Sequence, residues 1–133
     1  MSKRWTDHSR IVAAVLLVCV AIWTSPGVAS GSEKEAEAIL QRLLTAVQSH
    51  DYEAFVADGT AEFRSHLTKH IFARVSAQLS ERMKRGYSTS YLGQLRKQGY
   101  PVYLWKMTFS DQGDDVLIRL VLQDQKVGGF WLQ

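Results

Sequence analysis

From residue 100 to residue 133 the chain reads YPVYLWKMTFSDQGDDVLIRLVLQDQKVGGFWLQ, three alternating runs separated by two turns. In the first run Tyr103, Trp105, Met107 and Phe109 share one parity, and Val102, Leu104, Lys106 and Thr108 the other. Successive side chains of a strand point to opposite faces, so this alternation predicts a half-buried strand over residues 100–110. The cluster from Ser110 to Asp114 reads as a turn, with Gly113 available for positive φ. The next strand spans residues 115–123. Val116, Ile118, Leu120 and Leu122 lie on one face and Leu117, Arg119 and Val121 on the other. A strand apolar on both parities is expected to be central and covered on both sides. Asp124-Gln125 is short enough for a two-residue hairpin, although Gln stands where Gly is usual. In the closing strand, 126–133, Gly128 and Gly129 suggest a bulge or a close backbone approach, and Phe130 and Trp131 point to opposite faces. A less regular strand over 87–97 precedes these, ended by Gln98-Gly99-Tyr100-Pro101.

The residues before the strands carry helical periodicity. Ser32-Glu33-Lys34-Glu35 has the form of a capping box, in which Ser32 caps the helix and Glu35 reaches back. Ala36, Ile39, Leu40, Leu43, Leu44 and Val47 follow as one apolar stripe. His50-Asp51 ends this helix and Asp51 can cap a short one carrying Tyr52, Phe55 and Val56. Asp58-Gly59-Thr60 breaks it. A turn or two of helix with Phe63 follows. Thr68 then caps a longer helix expected to bury Ile71, Phe72, Val75, Leu79 and Met83. Basic residues at 82, 84 and 85 and then Gly86 mark its end.

The start of the chain has a different character. Lys3, Arg4 and Arg10 precede an apolar run of 13 residues, Ile11–Trp23, and then the small residues of 24–30. A spanning helix needs roughly 20 apolar residues. A basic head, a short apolar core and a small-residue exit instead predict a signal peptide over residues 1–29, a short linker over 30–32 and one domain over 33–133. Export to the periplasm or the exterior is therefore expected; the alternative is an inner-membrane anchor formed by an uncleaved leader. Val18 before Cys19 argues against a lipoprotein cysteine. The whole chain carries 16 Lys and Arg against 13 Asp and Glu. Removing the leader's three basic residues and one acid leaves 13 against 12, net +1. The basic balance thus belongs to targeting and does not point to nucleic acid. Without Cys19 the domain has no thiol, so neither disulfides nor thiol chemistry enter.

Helices followed by a curved four-stranded antiparallel sheet give an α+β class. The run LLTAVQSHDYEAFV at 43–56 and the ending DDVLIRLVLQDQKVGGFWLQ at 114–133 resemble the nuclear transport factor 2-like superfamily, the SnoaL-like and ketosteroid-isomerase-like group. The resemblance spans most of residues 33–133. It implies a cystatin-like cone with a pocket between helices and sheet, often paired as a homodimer through the sheet. Many members add a short strand between the second and third helices. None is found here, so this would be a reduced version. Some members are isomerases, dehydratases or cyclases and many only bind, and fold alone does not choose among them.

No complete catalytic, metal or phosphate motif is present. His66 and His70 have helical ligand spacing, but Thr68 begins a new helix between them and no third ligand is evident. An isomerase needs a carboxylate base beside a donor such as tyrosine. The acids near the sheet, Asp111, Asp114, Asp115 and Asp124, all fall in turns, so that pair cannot be carried over. The candidates for lining a pocket are His70, Tyr91, Tyr103, Trp105 and Arg119. Arg119 is either a pocket cation or an interface-rim residue paired with an acid such as Asp124. The expectation is an exported non-catalytic module, without cofactor or metal, binding a small apolar ligand or a peptide. The alternative is a cofactor-free isomerase or dehydratase.

Overall fold

The computed structural model describes residues 31–133. The signal peptide expected over residues 1–29 lies outside the described residues. Four helices precede four strands: α1 (Gly31–Gln48), α2 (Tyr52–Val56), α3 (Ala61–His66), α4 (Lys69–Arg85), β1 (Tyr87–Lys97), β2 (Tyr100–Phe109), β3 (Val116–Gln123) and β4 (Lys126–Leu132). The strands form one antiparallel sheet in the order β1-β2-β3-β4. The class is α+β, as the alternating runs predicted.

Local chemistry sets most boundaries. Asp51, Thr60 and Thr68 cap α2, α3 and α4, each side chain accepting a backbone N–H three residues on. α1 starts at Gly31, inside the expected linker, so Ser32 lies within the helix and not at its N-cap. The 124–125 hairpin turns with both residues left-handed, φ 49° and 65°, the geometry that matches the right-handed twist of the strands it joins. In the 110–114 turn Gln112, at φ 58°, takes the left-handed position expected of Gly113. Gly113 serves another need, because a Cβ there would sit 2.7 Å from the Arg82 guanidinium. Between α2 and α3 the chain makes a parallel bridge, Gly59 to Val127.

The inner face of the sheet carries Tyr103, Trp105, Met107 and Phe109 from β2 and Ile118, Leu120 and Leu122 from β3, all buried. α1 contributes Ala36, Ile39, Leu40, Leu43, Leu44 and Val47 to the same core. The stripe on α4 differs from expectation. Phe72, Ser76, Ser80 and Met83 are buried, whereas Ile71 is 43% and Val75 36% exposed. Phe72 and Met83 are buried as expected and Leu79 packs partly against the core, but two serines four residues apart, not Ile71 and Val75, complete the side of α4 that faces α1. β3 is internal, but its outer face is only half-buried at Leu117, Arg119 and Val121, so coverage on both sides is not found. Two bulges interrupt the ladders, at Leu92 in β1 and at Gly128 in β4, and each bends its strand.

The end of α4 is tied to the β2–β3 turn. Arg82 donates from Nε to Asp111 Oδ2 at 2.8 Å, and from Nη2 to Asp111 Oδ1 at 3.1 Å and to the Asp114 carbonyl at 3.2 Å. Its guanidinium lies 3.8 Å from the Phe109 ring centroid. Hydrogen bonds from Arg82 and then from the Gly113 N–H hold the Asp111 carboxyl down at about 2. A carboxyl depressed in the folded state adds stability above its unfolded value of about 4. That contribution disappears as pH falls through the folded value. Urea midpoints should therefore drop between about pH 4 and pH 2, and Asp111→Asn should flatten the fall in that window. An unchanged slope in Asp111→Asn would remove this pair from the acid response.

Candidate functional site

Three of the five residues singled out in the sequence come together. Tyr91 and Trp105 are cross-strand partners with ring centroids 5.6 Å apart, and Tyr103 lies 6.1 Å from Trp105. Cross-strand pairs on one face of an antiparallel sheet approach in this way. Tyr103 and Trp105 are shut from solvent, at 2% and 0% exposure, so they form core and do not line an open pocket. The Trp105 Nε1–H is buried with no hydrogen-bond partner. Tyr91, at the β1 edge, stays partly exposed. Desolvation first, then the charge of Glu33 and the neighbouring Tyr103, push its phenol above the usual range, which keeps it a neutral donor. Nothing in the residue pattern points to Glu33, in the first turn of α1, as acting on a strand tyrosine.

His70, the second residue of α4, is exposed and lines neither of the two depressions described below. His66 sits at the end of α3 with Nδ1 2.9 Å from the Glu62 carbonyl. Among the described residues no group of three or more His, Cys, Asp or Glu side chains is placed to hold a metal ion. The remaining histidine, His50, was not a candidate, yet its Nδ1 lies 2.9 Å from the Ser76 hydroxyl. This is not a nucleophile and its base. Ser76 is fully buried and gives its proton to the Val47 carbonyl at 2.7 Å, so His50 is the donor to Ser76. The trio joins α4 to the end of α1.

An apolar cleft of about 220 Å³ opens between the helices and β4. Phe55 and Phe72, with ring centroids 4.9 Å apart, form its floor with Phe130, whose ring meets Phe55 at 5.6 Å. Leu132 closes one side, and the exposed Ile71 and Val75 stand at the mouth. The two residues that miss the α4 core are thus wall residues of this cleft.

The outer face carries a second depression, of about 310 Å³, around Arg119. The expected pair with Asp124 does not form. The Arg119 guanidinium instead lies 5.1 Å from the centroid of the Trp131 ring, its cross-strand partner on β4. The Trp131 indole rests over Gly129, where a Cβ would collide with the ring. Tyr100 and Trp131 stand at the rim, 41% and 44% exposed.

Fold and site together define a small α+β domain with an apolar cleft beside its helices and a cationic hollow on its open sheet face. No protein-family model matches the chain, and no curated protein matches it. Among solved structures it is similar to an uncharacterized cystatin fold protein from Novosphingobium aromaticivorans, at 12% identity and a TM-score of 0.38, covering 72% of this chain and 95% of that one. Among the described residues no helix is long and apolar enough to cross a membrane.

Proposed function

We propose that the domain is an exported, non-catalytic binding module, a reduced nuclear transport factor 2-like domain that holds a small apolar ligand in the cleft between α2, α4 and β4. The observation that carries this reading is the pair Ile71 and Val75, large apolar side chains kept exposed at the cleft mouth. Concave, mostly apolar sites of this kind are the usual form of small-ligand pockets. In this reading two copies pair through the sheet along β1, whose free edge carries Leu92 and Leu95, 57% and 56% exposed. That arrangement leaves the cleft open in both copies.

Titration with toluene, followed by methyl resonances, tests the cleft. Saturable shifts at Ile71 and Val75, weakened about tenfold or more by Ile71→Lys, are expected. Absence of saturable shifts there would remove the ligand reading. Intact mass of material from the native host tests export. A chain starting at Ser30 or Gly31 in the soluble fraction is expected, and a full-length mass in the membrane fraction would mean a tethered domain. Sizing of the same material reports the pairing.

A second reading, a cofactor-free isomerase or dehydratase, is favoured only by the charge of Glu33 acting on Tyr91. It would use Glu33 as base and Tyr91 as donor. It requires a substrate to reach Tyr91 from the exposed side of β1, and Glu33→Gln would then abolish turnover without moving the urea midpoint.

A further inference from the structure

Arg119 stands in the middle of an otherwise apolar stretch of sheet. Leu117 and Val121 flank it on β3, and Leu104 and Trp131 are its partners on the neighbouring strands. Among the described residues its guanidinium makes no ion pair, and its Nε–H is buried without a hydrogen-bond partner. Arg74 and Arg96 also lack an ion pair, but both are exposed and their donors face water. A half-buried arginine with one buried, idle donor is costly unless something accepts from it. The surrounding hollow supplies no acceptor of opposite charge. Its lining holds a second cation, Lys97, and the amides of Gln98 and Gln123, but no carboxylate. The rest is apolar or aromatic: Tyr100, Val102, Val121 and Trp131. The bulge at Gly128 places a residue without a side chain against this lining.

We propose that this hollow is a binding site for a small organic carboxylate, with Arg119 taking the carboxylate and Val102, Val121 and the rim aromatics taking the apolar body. The planar guanidinium presents a fork of donors matched to a carboxylate, and its contact with Trp131 holds the fork in place. Lys97 at the rim adds attraction without a competing acid. The apolar half of the lining selects an organic acid over a bare anion. Trp131 borders both this hollow and the helical cleft, but Arg119, Val102 and Val121 line only the hollow, and Ile71 and Val75 only the cleft.

Phenylacetate titrated into the protein and followed by amide and side-chain N–H resonances tests it, with phenylacetamide and inorganic phosphate as controls. Saturable shifts are expected at the Arg119 Nε–H and the Val102 and Val121 amides, with Ile71 and Val75 unmoved. Phenylacetamide, lacking the charge, should bind about tenfold or more weakly, and Arg119→Met should weaken phenylacetate by a similar factor. Arg119→Lys should recover only part of the affinity, because it keeps the charge and loses the fork. Equal binding of acid and amide, phosphate binding as well as phenylacetate, or no saturable shift at Arg119 by about 10 mM would each overturn the proposal. The acid-against-amide comparison uses the unaltered protein, so it decides even where a variant fails to fold. Shifts at Ile71 and Val75 alone would overturn this site while leaving the cleft reading intact.

Discussion

Trp105→Ala should lower stability by about 3–5 kcal/mol, the range for deleting a large aromatic from a packed core. Trp105 is 0% exposed, meets Tyr91 and Tyr103 on the same face, and is paired across the sheet with Ile118. A single domain of this size holds about 5–15 kcal/mol in total, so the alanine variant would sit near its unfolding threshold. Trp105→Phe should lose clearly less. It refills most of the volume and deletes the buried indole N–H that has no partner. Urea unfolding followed by circular dichroism separates the two. If alanine shifted the stability by less than about 1 kcal/mol, the inner face of the sheet would not be the core described above.

The second large effect is expected at Gly86. This residue ends α4 with φ 120° and ψ 141°, a conformation that side-chain-bearing residues rarely adopt. It also leads directly into β1, and its carbonyl accepts the Ser110 N–H at 3.0 Å. A Cβ at Gly86 would stand 2.5 Å from Ser110 Oγ. Gly86→Ala should therefore cost roughly 2–4 kcal/mol, backbone strain and collision acting together. Adding Ser110→Gly should return only the collision part. Full recovery in the double variant would mean that the backbone conformation carries no strain, and no recovery would mean that the hydroxyl is not in the way.

β2 and β3 were legible because each obeys one simple rule. Tyr103 to Phe109 alternates without interruption, and the buried parity is the aromatic one. The caps at Asp51 and Thr68 were legible because a hydroxyl or carboxylate at the right spacing has few other uses, whereas Thr60 was read only as part of a break. The face of α4 was legible only in part: Phe72 and Met83 are buried as expected, whereas Ile71 and Val75 are exposed. Ser76 and Ser80 carry no hydrophobic signal, and only the i, i+4 spacing with Phe72 hints that small residues mark the contact with α1. The candidate site divides along similar lines. Tyr103 and Trp105 share a face by parity, but Tyr91 meets Trp105 through the register of β1 on β2, which parity does not give, and whether that face encloses a space or is filled depends on α1. Arg119 stood out as the single charge in an apolar strand. Its partner could not be read, because the residue opposite it is set by a bulge at Gly128 that shifts β4 by one position. His70 failed because its position one residue into α4 turns it to solvent, which spacing alone does not reveal.

The short bridge at Gly59 has a bearing on assembly. Val127 gives its N–H to the Asp58 carbonyl at 2.8 Å and receives the Thr60 N–H at 2.9 Å, so the outer rim of β4 is already engaged by its own chain at that point. Among the described residues no backbone hydrogen bond from outside the sheet reaches β1. A sheet with two free rims can add chains without limit and grow into a filament, whereas one with a single free rim can only join another like itself. In the proposed pairing along β1, the engaged stretch of β4 at Val127 opposes a further copy at that point, and a substitution that freed Val127 from residues 58–60 should favour association beyond two chains.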